Sequence, residues 1–86
     1  MTERRETDFT AKSGGVMTDE VGAITGEVTL VTEVDDGGGV VQRVQYKDAD
    51  EWYAVTDSPK ALPPGGDIDT VHEQAVARLR QAAGTS

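Results

Sequence analysis

Clustered carboxylates and a single imidazole are the side chains of this chain that could do chemistry. Glu33, Asp35 and Asp36 crowd one reversal, and Asp48, Asp50 and Glu51 crowd another. Hard cations such as calcium need several oxygen ligands converging at one point. Neither cluster has the spaced D-x-D-x-D-G pattern of a calcium loop, and loop carboxylates without that spacing are ordinarily solvated, so no metal is assigned. His72 is the only histidine and there is no cysteine. A general base needs a nucleophile and a pocket, and no serine is placed by motif to meet this one. The chain also lacks a phosphate loop and a basic patch. The expectation is a protein that is not an enzyme and holds no cofactor.

Recognition chemistry is better represented. Trp52 and Tyr53 are neighbours in a β-rich run, so a strand there buries one and displays the other. Which is displayed depends on the elements around them. A first strand over about 23–34 alternates Ile24, Val28, Leu30 and Val34 on one side with Thr25, Glu27, Thr29 and Glu33 on the other, and Val31 points outward with the second set. Asp35-Asp36-Gly37-Gly38-Gly39 supplies a tight reversal into a second strand over about 40–47. A five-residue loop sets Val34 against Val40, Leu30 against Val44 and Val28 against Tyr46, with Thr29 facing Gln45 and Glu27 facing Lys47 on the other side.

The third strand, about 51–57, follows Asp48-Ala49-Asp50. A three-residue turn pairs Lys47 with Glu51 and sends Trp52 inward; a two- or four-residue turn puts Tyr53 and Val55 inside instead. The charge pair and the need of a small core for one large aromatic favour Trp52 inside. Ser58 to Gly66, with three prolines, cannot continue a strand and becomes a crossing loop. Asp67 is placed to cap a helix over about 68–81, in which Ile68, Val71, Ala75, Val76 and Leu79 share one face and His72 borders it. The expected core is completed by Tyr46, Trp52 and Ala54.

Composition sets the boundaries. Leu, Ile, Val and Phe number 17 of 86 residues, but only Phe9 and Val16 fall within the first twenty. Residues 1–20 are therefore expected to be a disordered tail, 21–82 a single small β-β-β-α domain and 83–86 a frayed end. A Gly-Gly pair just before Met17 raises the alternative that translation begins there. Sixteen acidic against eight basic side chains give a net charge of −8, which repels nucleic acid and anionic membranes. No apolar stretch has the length of a signal core or a membrane span, which points to the cytoplasm.

The expected fold is α+β, a three-stranded antiparallel meander with one face packed by the C-terminal helix and the other open. Its order of elements resembles that of the small MbtH-like accessory proteins of peptide synthetases, although their S-x-W-P segment has no counterpart here and no residue carries over. The expected function is a small acidic accessory or interaction module that binds a protein partner, preferentially basic, through Val31, Arg43, Tyr53 and Val55 on the open face. The alternative is an inhibitor or immunity-type protein that blocks a basic site with Asp35, Asp36, Asp48, Asp50 and Glu51. A sheet edge could also pair copies, so the state expected is monomer or weak homodimer.

Overall fold

The computed structural model describes residues 2–56 and 58–82, except for the side chains of 12–14 and 80–82. Strands β1 (Glu3–Thr18), β2 (Gly22–Val34), β3 (Val40–Tyr46) and β4 (Tyr53–Ala54) form one antiparallel sheet in sequential order, followed by helix α1 (Ile68–Ala82). The β2–β3 hairpin has the register its hydrophobic pattern dictates: Val28 faces Tyr46, Leu30 faces Val44 and Val34 faces Val40. The class is α+β, as expected. The expected fraying of 83–86 lies outside the described residues, as does the last residue of the predicted third strand.

The N-terminus departs from expectation. It is structured from residue 2 and supplies the longest strand. In β1, Thr7, Phe9 and Ala11 face the helix side, paired with Leu30, Val28 and Gly26, while Arg4, Glu6 and Asp8 face the other. Phe9, Ala11 and Val16 all enter the core. A strand with one polar face and only Phe9 and Val16 as large apolar residues on the other has a composition that resembles that of a tail.

A kink divides β1 into two arms. Between the pairs Ala11–Gly26 and Val16–Ile24, residues 12–15 run opposite Thr25 alone. Such an insertion bends the strand and sharpens its twist. Gly15 makes the bend possible: its φ is +64°, and a Cβ there would collide with the Ile24 carbonyl. The second arm swings across to β4. Thr18 bridges Val55, Thr56 N donates to the Met17 carbonyl at 2.9 Å, and Asp19 N donates to the Ala54 carbonyl at 3.0 Å. Glu20 and Asp19 side chains accept further bonds from Ala54 N and Thr56 Oγ1. Counted as separate segments, the two arms and the other three strands make five, and the outer side of β4 is sealed.

Helix α1 covers one face of the sheet. Asp67 caps it, accepting from Thr70 N at 2.9 Å, and this bond holds the Asp67 carboxyl below the usual carboxylate range. Beneath the helix lie two apolar clusters. The larger joins Phe9, Val16, Ile24, Leu30, Val44 and Val55 to Ala75, Val76 and Leu79; the smaller joins Val34 and Val40 to Ile68 and Val71, with Leu62 at its margin. The crossing loop is tied beside the smaller one, where Val40 N donates to the Lys60 carbonyl and Leu62 N to the Gly38 carbonyl.

Three expected core residues lie elsewhere. Tyr46 is on the helix face but beyond the helix, 41% exposed. Trp52 and Ala54 are on the opposite face, because β4 pairs Arg43 with Ala54 and Val44 with Tyr53. That register differs by one residue from the Lys47–Glu51 alignment. The turn is tighter, closed by Ala49 N on the Tyr46 carbonyl with Asp48 at φ +66°, and a one-residue shift inverts every side chain.

Candidate interaction surface

Strand alternation gathers Arg4, Glu6 and Asp8 from β1, Thr29, Val31 and Glu33 from β2, and Val41, Arg43 and Gln45 from β3 on the face away from α1. Trp52 and Ala54 complete it. Glu33 is its electrostatic centre, 3.3 Å from Arg43 and 3.6 Å from Arg4, and Arg4 also meets Glu6 at 2.6 Å. The Arg4 guanidinium carbon lies 5.8 Å from the centroid of the Trp52 ring, a cation–π contact that links β1 to the segment before β4. Asp8 accepts from the Thr29 hydroxyl at 2.6 Å.

Of the four residues expected to share the open face, only Arg43 is exposed there. Val31 belongs to that face but is 2% exposed, flanked in register by Glu6 and Arg43. Val55 is 2% exposed in the core, and Tyr53 packs half-buried against it. The strand inversion explains both corrections. The apolar groups that the face does present are Trp52 and Ala54, both half-buried, and Val41, 42% exposed. Sequence reasoning named the adjacent aromatic pair but chose the wrong member, and the only available signal was the turn length.

The acidic loops stand at opposite ends of β3, roughly 20 Å apart by strand rise. Asp35 is committed to its own turn, its Oδ1 accepting from Gly37 N at 2.9 Å and Gly39 N at 2.8 Å. Asp48, Asp50 and Glu51 are exposed. No group of three or more potential ligands able to hold a metal occurs among the described residues.

His72 lies under the helix at the centre of a polar seam. Its Nε2 is 2.8 Å from Thr7 Oγ1 and its Nδ1 is 2.8 Å from Thr32 Oγ1, which accepts from Gln42 Nε2 at 3.1 Å. A neutral imidazole has one donor and one acceptor nitrogen, so one threonine receives its proton and the other occupies its lone pair. The lone pair a general base would use is thus taken. Burial and, secondarily, the nearby Arg5 charge lower the pKa of His72, against weaker opposing effects of Asp69 and Glu73. At the end of the seam a groove of about 290 Å³ runs between β1 and α1, lined by Thr7, His72, Glu73, Val76 and Ala77. Among the described residues, no helix is long and apolar enough to cross a membrane. No protein-family model, curated protein or solved structure matches this chain.

Proposed function

We propose that this chain is a small acidic interaction module, not a catalyst, that binds a basic protein partner through its helix-free sheet face. The observation that carries this reading is the stacked Arg4–Trp52 pair beside exposed Arg43 and Val41. Tryptophan and arginine are the residue types that dominate binding hot spots, and a ring already held by a guanidinium loses little freedom on docking. The net charge of −8 selects a basic partner and speeds encounter.

The test is affinity capture from native lysate with the full chain beside Trp52→Ala and an Asp48→Asn, Asp50→Asn, Glu51→Gln variant. The expected result is a basic protein retained by the wild type and the loop variant, with affinity for Trp52→Ala reduced about tenfold or more. Retention by Trp52→Ala together with loss from the loop variant would instead favour the inhibitor-type reading.

A further inference from the structure

Among the described residues, the sheet has two edges and only one is sealed. Lys47 N donates to the Glu27 carbonyl, so the odd-numbered residues of β2 direct their backbone groups to β3 and the even-numbered ones to β1. Even residues of β2 pair with odd residues of β1. The N–H and C=O groups of Arg4, Glu6 and Asp8 therefore point away from the sheet. Among the described residues no backbone group bonds them from that side; the Arg4 carbonyl instead accepts from Nη1 of the neighbouring Arg5 at 2.9 Å. An unpaired ladder of this kind is a template for another strand.

We propose that the strand it accepts is the same edge of a second copy, antiparallel, with Arg5 at the two-fold axis. The charges select both the occupant and the register. Outward-facing backbone groups can bond only when even residues oppose even residues. With Arg5 at the axis, Arg4 of each copy, already 2.6 Å from Glu6 of its own chain, also faces Glu6 of the other, so the two intrachain pairs join into one alternating cluster across the axis. Moving the axis to Glu6 opposes the two Glu6 carboxylates, moving it to Thr7 opposes Glu6 and Asp8, and moving it to Arg4 opposes the two guanidiniums. On the helix side the two Arg5 chains meet at the axis, each already neutralised by Asp69 at 2.6 Å. The Glu6 axis also sets Arg4 against Asp8, and the Arg4 axis sets Glu3 against Arg5 on the helix side, but of these alignments only the Arg5 axis leaves the outer face without a like-charge pair.

Sedimentation of the full chain at physiological salt, from about 10 µM to about 1 mM, brackets the weak affinities expected of a short polar contact. Wild type is expected to shift from monomer to dimer across that range. Arg4→Glu sets the introduced carboxylate against Glu6 of the other copy, and Glu6→Arg sets the introduced guanidinium against Arg4, so each variant alone should stay monomeric. An equimolar mixture of the two places a carboxylate pair opposite a guanidinium pair, restores both ion pairs and should form a one-to-one dimer. Glu6→Pro keeps the β1–β2 ladder, because the N–H it removes faces outward, and should be folded and monomeric. A wild type monomeric throughout, a Glu6→Pro variant that dimerises, or charge variants that fail to recover on mixing would each overturn the proposal.

Discussion

Phe9→Ala separates a structural N-terminal strand from a tail. Phe9 is 8% exposed and packs in the larger apolar cluster against residues of β2 and α1. Removing the ring strips about 120 Å² of buried apolar surface, and at about 25 cal/mol per Å² that is about 3 kcal/mol. The site borders an open groove lined by Asp8, Thr10, Glu27 and Lys47, so water can enter the space vacated and the loss belongs at the lower end of the range of about 3–5 kcal/mol for a buried Phe→Ala change. In a domain of this size a loss of about 3 kcal/mol lowers the melting temperature by about 12–24 °C. Urea titration followed by circular dichroism reads the midpoint, with Thr10→Ala, exposed on the other face, as the control that should change little. If Phe9→Ala moved the midpoint no further than Thr10→Ala, the first arm would be no part of the cooperative unit and the kinked-strand account would fail.

Two other perturbations bear on the kink and the seam. Gly15→Ala forces a side chain into φ +64° and against the Ile24 carbonyl, and should cost about 2–3 kcal/mol in chemical denaturation, whereas Gly38→Ala, at φ +83° in open space, should cost about 1 kcal/mol. The pKa of His72 is lower in the folded chain than in the unfolded one, where it lies near 6.5. The unfolded state therefore binds the proton first, so the stability due to this group is complete above about pH 6.5 and is lost as pH falls toward the folded value. Arg5, Asp69 and Glu73 are the charges acting on it. The difference in stability between wild type and His72→Gln should narrow on acidification from about pH 7.5 to about pH 5, and a constant difference would refute that linkage.

Much of the central fold was legible because two periodicities agreed. The β2–β3 register followed from Asp35 to Gly39 and the facing valines, and α1 followed from Asp67 and its apolar stripe. β1 was hidden because its buried side offers only Phe9 and Val16 as large apolar groups, seven residues apart, beside Thr7, Ala11 and Thr18, and these bury well only when a neighbouring strand and helix already cover them. Val31 was expected to face outward and does so, yet it is buried, because burial there comes from long charged neighbours that pattern counting treats as solvent. β4 failed for a different reason. Its orientation rests on turn parity alone, and neither Trp52 nor Tyr53 carries a local signal strong enough to decide it. The expected open face inherited that error: Arg43 lies on it, whereas Tyr53 turns to the helix side and Trp52 takes the place expected of it.

The seam through the core also determines how the helix can sit. Two apolar clusters alone would let α1 slide or roll on the sheet with little change in contact, since valine, alanine and leucine tolerate exchange of partners. His72 removes that freedom. A displacement by one helical turn, about 5.4 Å, would separate both imidazole nitrogens from Thr7 and Thr32 and leave desolvated polar groups behind. Because the two threonines lie on different strands, the ring also fixes β1 against β2 from above. The imidazole is thus a locating pin, specifying a single docking of helix on sheet in a core whose greasy parts could accept several.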